Sequence, residues 1–93
     1  MIDKNNFHVL NYVKKEDYMG SMSGMRYMLR KKAAGEETKL EVVIWPEPFN
    51  FVKTPENKKQ RMEFTFDDIG LNDAVDWLNE QYEQQKSLWK VIG

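Results

Sequence analysis

The chain has 93 residues and no cysteine, and its 14 lysines and arginines nearly balance its 15 aspartates and glutamates. A chain of this length predicts a single domain over residues 1–93, because only longer chains divide into several cores. The balanced charge argues against a polybasic nucleic-acid arm and against a disordered acidic tail. The lack of cysteine excludes a disulfide scaffold, thiol catalysis and cysteine-based zinc sites.

Nothing in the sequence predicts export or membrane insertion. The first six residues lack the apolar core of a signal peptide, and no stretch approaches about 18 apolar residues. We therefore expect a cytoplasmic protein with no membrane partner. The aromatic residues (3 Trp, 4 Tyr and 5 Phe) and 6 methionines exceed what solubility needs. A small domain would leave some of them for a partner to cover.

Three segments in the first half of the chain predict β-strands. Residues 7–13 are rich in aromatic and β-branched residues, and residues 25–31 alternate apolar and basic side chains. Between them, the glycines of residues 20–24 predict a turn-forming connection. Residues 40–45 form the strongest strand pattern, which ends at Pro46 because proline cannot donate to a sheet ladder.

A long loop and a fourth strand follow. All three prolines lie in residues 46–60. Thr54 as N-cap and Pro55 as the first helical residue predict a short helical turn within residues 53–60. Residues 62–66 alternate with period two, which predicts a strand. The residues on its predicted buried side are Met62, Phe64 and Phe66.

Asp67 or Asp68 is predicted to cap a long helix that runs to about residue 90. Acidic residues crowd its first half and Lys86 and Lys90 lie in its last turns, as the helix dipole favours. Gly70 is a weak helix former that the first turn tolerates. The apolar residues that share one helix face are Leu71, Val75, Leu78, Tyr82 and Trp89.

These elements predict an α+β fold, a four-stranded antiparallel sheet with one long C-terminal helix packed on one face (β-β-β-β-α). Strand alternation divides the sheet residues into two sets. Those predicted beneath the helix are Val9, Val13, Tyr27, Leu29, Leu40, Val42 and Ile44. Those predicted on the open face are His8, Leu10, Tyr12, Arg26, Met28, Arg30, Val43, Trp45, Glu63 and Thr65.

The sequence leaves three interpretations of this half-apolar face open. In the first, the loop at residues 46–60 folds back and its Phe49, Phe51 and Val52 complete an ordinary core. In the second, a second copy of the chain or a partner protein covers the face. The prolines on either side of Glu47 restrict the backbone where the chain leaves the strand. Trp45 and Phe49 would then be held at a fixed separation, where they could contact a partner.

In the third interpretation, the face binds nucleic acid. Residues 1–32 carry 7 basic and 3 acidic groups and residues 61–93 carry 3 and 7, so the chain is electrically polarised. The same polarity would also suit association with another protein. The nucleic-acid residues would be Tyr12 and Trp45, stacking on bases, and Arg26 and Arg30, contacting phosphates.

Trp77 flanks the apolar stripe of the helix, where it is either the edge of a wide core or an interface anchor. We expect a non-enzymatic interaction module that binds itself as a homodimer or binds a protein partner, with nucleic acid as the alternative. The predicted interaction residues are Tyr12, Arg26, Met28, Arg30, Trp45, Phe49 and Trp77.

Catalytic chemistry has little support, and we expect no catalytic residue, no cofactor and no metal. His8 is the one histidine, and the sequence pattern indicates no carboxylate or nucleophile that would act with it in catalysis. The acidic pairs of the C-terminal helix lack the glycine-punctuated spacing of a calcium loop. A further alternative is a small anionic-ligand protein or enzyme that uses the glycine loop at residues 20–26 with Arg26. That loop matches neither a P-loop nor a dinucleotide fingerprint.

Four short strings carry a resemblance that spans nearly the whole chain. They are residues 18–21, 24–27, 45–49 and 74–79, which read YMGS, GMRY, WPEPF and AVDWLN. In this combination the chain resembles a group of short uncharacterised proteins from anaerobic Gram-positive bacteria, some of which carry an acetyltransferase label. The acyl-CoA signature loop of acetyltransferases is not found here, so no acetyltransferase residue is carried over.

Overall fold

The computed structural model describes residues 2, 7–47 and 50–89. Four antiparallel strands form one sheet in the order β1-β2-β3-β4, with a long helix after the last strand. The predicted α+β fold is therefore confirmed. The strands are β1 (Tyr18–Met22), β2 (Met25–Ala34), β3 (Glu37–Pro46) and β4 (Gln60–Thr65), and the helices are α1 (Leu10–Val13), α2 (Asp68–Gln84) and α3 (Lys86–Trp89).

The first strand does not lie where the sequence pattern indicated. The prediction of a strand at residues 7–13 is wrong, because this segment contains the short helix α1. Phe7, Leu10 and Val13 are three residues apart, which is the spacing of one helical face, and all three pack into the core beside α2. A short apolar run of this kind fits a helix or a strand equally well.

A two-residue turn joins β1 to β2. Met22 pairs with Met25, so only Ser23 and Gly24 lie between the strands. Their φ angles are 44° and 99°, as a type I′ hairpin turn requires. The predicted connection at residues 20–24 is therefore too long, and its first three residues belong to β1. Glycine and serine are poor strand formers, which weakens the signal of that strand.

The second hairpin is the longest in the sheet. Strands β2 and β3 are each 10 residues long and pair over their whole length, from Met25 with Pro46 to Ala34 with Glu37. Gly35, with φ of 66°, supplies the positive φ in the turn between them. Strand β3 ends at Pro46, as predicted.

The main core lies between the sheet and α2. The predicted division is confirmed for β2 and β3, because their residues assigned to the helix side share one buried cluster with α2. Phe64 and Phe66 are partly buried against the same cluster, whereas Met62 on the edge strand β4 stays 47% exposed. The buried members that form the centre of this core are Leu29, Leu40, Val42, Ile44, Leu71, Val75 and Leu78.

Helix α2 begins very close to the end of β4. The Asp67 carboxylate accepts a hydrogen bond from the Gly70 backbone N–H at 2.7 Å and another from the Thr65 hydroxyl at 2.8 Å. Asp67 is therefore the N-cap, as predicted. A Cβ atom added to Gly70 would lie 1.7 Å from the carbonyl oxygen of Thr65. The close approach of strand and helix thus depends on glycine at this position.

The C-terminal helical region consists of two helices, α2 and α3, and not of the single helix to about residue 90 that the sequence predicts. Helix α2 stops at Gln84, and Gln85 exchanges side-chain hydrogen bonds with Gln60 at the start of β4. Trp89 in α3 is 2% exposed and donates its indole N–H to the Gln81 carbonyl at 3.2 Å. Lys90 lies outside the described residues.

The long loop contains the predicted helical turn, which is a 3₁₀ turn at Glu56–Lys58. The predicted role of Thr54 as its N-cap is wrong, since Pro55 occupies that position and no side chain caps the turn. The Thr54 hydroxyl instead donates to the Asn50 carbonyl at 2.6 Å. Thr54 is nonetheless 4% exposed, and its hydroxyl closes a turn within the loop.

Candidate functional site

The sheet face opposite α2, called the second face below, is partly covered by the loop that follows β3. Met28, Val43 and Trp45 lie on this face and are at most 2% exposed. Phe51 packs against them, with its ring 5.5 Å from the Trp45 ring in an edge-to-face arrangement. The interpretation in which the loop folds back is confirmed for Phe51. It is wrong for Val52, which is 87% exposed.

Two cations hold the Phe51 ring in position. The Lys59 Nζ lies 3.9 Å from the ring centroid, and the Arg30 Cζ lies 5.5 Å from it. The Lys59 side chain is only 5% exposed and also contacts the Glu56 carboxylate at 3.1 Å. Cation–π contacts of such partly desolvated groups are stronger than those at exposed sites. The loop is therefore fixed over the sheet by charge as well as by apolar contact.

A network of charged residues occupies the part of the second face beyond Phe51. The Glu41 carboxylate, 2% exposed as a side chain, contacts the Arg30 Nε at 2.5 Å and the Lys32 Nζ at 3.2 Å. Lys32 also contacts Glu63 at 2.8 Å. Burial raises the pKa of Glu41, but the hydrogen bonds and charges of Arg30 and Lys32 outweigh it and leave that pKa below its usual value. Glu41 is thus an ionised carboxylate that its two cations compensate.

A cleft of about 240 Å³, called the hairpin cleft below, lies beside the β1–β2 hairpin. Arg26 is its one charged lining residue within the described part of the chain. The Arg26 Nε lies 3.9 Å from the Glu47 carboxylate, which is too far for a hydrogen bond. The residues that line the hairpin cleft are Met19, Gly20, Ser21, Arg26, Tyr27, Trp45, Asn50 and Phe51.

The hairpin cleft opens beside an unpaired strand edge. Strand β1 is the first strand of the sheet, and no strand among the described residues pairs with its outer side. In a two-residue hairpin, the residue pair next to the turn is hydrogen-bonded, and here that pair is Met22 with Met25. Along an antiparallel ladder, hydrogen-bonded pairs alternate with pairs whose backbone groups point away from the partner strand. Met19 and Ser21 therefore direct their backbone N–H and C=O groups outward. The Met19 side chain is also 57% exposed.

Four of the predicted interaction residues lie together. Arg26, Met28, Arg30 and Trp45 all belong to the second face, where Arg26 pairs with Trp45 across β2 and β3. However, Trp45 and Met28 lie under Phe51 rather than in an open surface. Only Arg26 of these four combines partial exposure with a position in the hairpin cleft.

The remaining predicted residues lie elsewhere. Tyr12 belongs to α1 and stacks edge-to-face on Tyr18 at 5.6 Å, and Tyr18 packs against the core beside α2. Trp77 contacts Phe64 at 6.3 Å and forms the edge of that same core. Phe49 lies outside the described residues.

The predicted location of three residues on the open face is therefore wrong. His8, Leu10 and Tyr12 were assigned to that face through a strand that does not exist. Leu10 packs against the core beside α2, and His8 lies in the segment before α1. Base stacking by Tyr12 and Trp45 on one surface is not possible in this arrangement, because they lie on different sides of the sheet and Trp45 is 2% exposed.

Metal and membrane sites are not indicated by the geometry. Within residues 2, 7–47 and 50–89, no three histidine, aspartate or glutamate side chains come together in a way that could hold a metal ion. No helix in those same ranges has the length and apolar character needed to cross a membrane.

Comparison with known proteins adds no assignment. No protein-family model matches the chain, no curated protein matches it, and no solved structure matches it. The resemblance to short bacterial proteins stays a prediction.

The sequence interpretation missed several residues of this region. Glu41 follows the same alternation as Val43 and Trp45, so its place on the second face could have been deduced from the strand pattern. Met19 was hidden because β1 was not recognised. Asn50 and Lys59 belong to an aperiodic loop, and no sequence pattern indicates where such residues lie.

Proposed function

We propose that the protein is a non-enzymatic binding module that takes an extended segment of a partner protein along the outer edge of β1, beside the hairpin cleft. One observation carries the proposal, namely that a strand edge with no partner strand among the described residues adjoins a cleft with a charged residue. In strand addition, backbone hydrogen bonds supply affinity and pockets for alternate side chains supply specificity. The outer edge of β1 supplies backbone groups for the first, and the hairpin cleft supplies one pocket for the second.

The backbone of β1 limits the length and strength of the contact. The strand has five residues, and Met19 and Ser21 offer two N–H and two C=O groups on the outer side. Each net hydrogen bond contributes about 0.5–1.5 kcal/mol, from which the cost of association is subtracted. We therefore expect a short segment to bind with a dissociation constant in the micromolar range or weaker.

The hairpin cleft supplies the second half of the contact. Met19, Trp45 and Phe51 give it an apolar wall, and Arg26 and Asn50 give it polar groups. A volume of about 240 Å³ suits one or two side chains rather than a large cofactor. The preferred partner segment thus carries an apolar side chain on the face that looks toward the cleft.

The earlier interpretations of the second face are less well supported. A second copy would gain little apolar contact there, because Phe51 already covers Trp45 and its neighbours. Nucleic-acid binding would need Arg30 to contact phosphate, but Arg30 is paired with the buried Glu41. The edge of β1 avoids both difficulties, since it uses backbone groups that pair with no strand in residues 7–47 and 50–89.

The test selects short peptides from a phage-displayed random library on the folded protein and maps their contacts by NMR. We expect the largest amide shifts at Met19 and Ser21. Substituting Ser21→Pro removes an outward N–H without breaking the ladder to β2, and we expect it to abolish binding. The matched Ser21→Ala keeps the N–H and should bind as the parent does.

Either of two results would contradict the proposal. The first is a failure to select any peptide whose binding requires the Ser21 N–H. The second is a set of amide shifts centred on α2 or β4 instead of β1. An NMR spectrum of Ser21→Pro that matches the parent away from β1 shows that loss of binding is not loss of the fold.

A further inference from the structure

Arg26 differs from the other two arginines of the chain, all of which lie on the second face. The Arg30 Nε contacts Glu41 at 2.5 Å, and the Arg61 Nη2 contacts Glu56 at 2.5 Å. Among the described residues the Arg26 Nε has no hydrogen-bond partner, and it lies 3.9 Å from a carboxylate oxygen of Glu47. Its guanidinium is therefore the one on this face without a close anionic partner.

The outer end of this guanidinium is formed by its two Nη groups. The Arg26 Nε is buried, whereas the side chain as a whole is 40% exposed. Two parallel N–H groups at the end of a guanidinium match the two oxygens of a carboxylate. A ligand that takes this end would give up only a long contact with Glu47.

The charge of the hairpin cleft limits the ligand to a weak anion. Arg26 is the one basic residue among the described lining residues, and Glu47 beside it offsets part of its charge. A dianionic phosphate would normally use several donors or a helix N-terminus, which this edge lacks in the described residues. A carboxylate carries one negative charge and is the better match.

We infer that Arg26 binds an acidic side chain of the partner segment, at the position that pairs with Ser21; this inference rests on the proposed binding mode. Ser21 pairs directly with Arg26, so a residue added on its other side points to the same face. Neighbouring strands lie about 4.8 Å apart, which puts the added residue about 10 Å from the Arg26 Cα. An arginine and a glutamate side chain together span that distance.

The experiment uses a peptide selected in the library screen, synthesised with glutamate or glutamine at the position opposite Ser21 and with a free or amidated C-terminus. We expect the glutamine peptide to bind the parent protein about tenfold more weakly, because a hydrogen bond to a charged group is worth at least that factor. Arg26→Gln should remove the difference between the two peptides. The control Arg61→Gln, on the same face, should preserve it, and Glu47→Gln should strengthen binding of the glutamate peptide.

The outcomes separate this inference from the proposed function. If binding needs the Ser21 N–H but is the same for Arg26→Gln and parent, the inference is overturned and the binding mode stands. If amidation of the C-terminus weakens binding while the glutamine peptide binds normally, the assignment to an acidic side chain is overturned. If no selected peptide needs the Ser21 N–H, both fail.

Discussion

Substituting Gly70→Ala tests how the structure joins the sheet to its helix. In an exposed helix interior this change stabilises by about 1 kcal/mol. Here the added Cβ would lie 1.7 Å from the Thr65 carbonyl oxygen and 2.6 Å from the Thr65 hydroxyl, closer than real Cβ atoms approach. The clash is with backbone, which cannot rotate away, so the end of β4 and the start of α2 must separate.

The expected cost follows from that separation. Overpacking of this kind typically costs about 1–3 kcal/mol, and the Gly70 N–H also loses its bond to Asp67. After the gain in helix propensity is subtracted, we expect the free energy of unfolding to fall by about 2 kcal/mol. For a domain of this size that corresponds to a melting temperature lower by about 10 °C.

Thermal and urea unfolding, followed by circular dichroism, measure the effect. Two alanine substitutions serve as controls. Gly35→Ala meets no atom within 4 Å but must adopt φ of 66°, so we expect a loss of about 1 kcal/mol from backbone strain alone. Asn72→Ala, exposed in α2, should be neutral or slightly stabilising. A Gly70→Ala protein as stable as the parent would refute the reasoning.

Three further substitutions follow from the contacts. Glu41→Gln should lower the free energy of unfolding by about 2 kcal/mol in urea titrations at neutral pH, since it removes the charge-assisted bonds of a buried carboxylate. Because the folded state lowers the pKa of Glu41, its contribution is present at neutral pH and is lost as the pH falls through the folded pKa. The variant should therefore lose less stability on acidification than the parent does. Phe51→Ala should expose Trp45 and shift tryptophan emission to longer wavelength; an unchanged spectrum would contradict the covering role of the loop. Ser23→Asn should stabilise the hairpin by about 0.5 kcal/mol, measured by thermal unfolding, because asparagine tolerates positive φ better than serine does.

The parts of the fold that the sequence could predict are those with a clear period. Alternation over residues 40–45 predicted both the strand and its two faces, since one face is buried under α2 and the other under Phe51. An aspartate before an amphipathic run predicted the helix start. Residues 7–13 were misassigned because seven residues are too few to distinguish period two from period 3.6. Strand β1 was missed because pairing with β2, rather than its own residues, makes it a strand.

The candidate site was predictable only in part, because one of its walls is an aperiodic loop. The alternation of side chains along the strands predicted that Arg26 and Trp45 lie on one face, and the strand register confirms it. The hairpin cleft also needs Asn50 and Phe51, whose positions depend on how the loop returns over the sheet. Burial of Trp45 beneath that loop moves the accessible groups from the centre of the face to the edge of β1. No periodic pattern carries that information.

The strand order also sets the order in which the chain can fold. Every strand pairs with its neighbour in sequence, and two of the three links within the sheet are two residues long. Short links cost little loop-closure entropy, so β1 to β3 can form from local contacts before the longer loop closes. We therefore expect β4 and α2 to join last. We expect substitutions in the turn at Gly35 to slow folding, and those where β4 meets α2, such as Gly70→Ala, to speed unfolding.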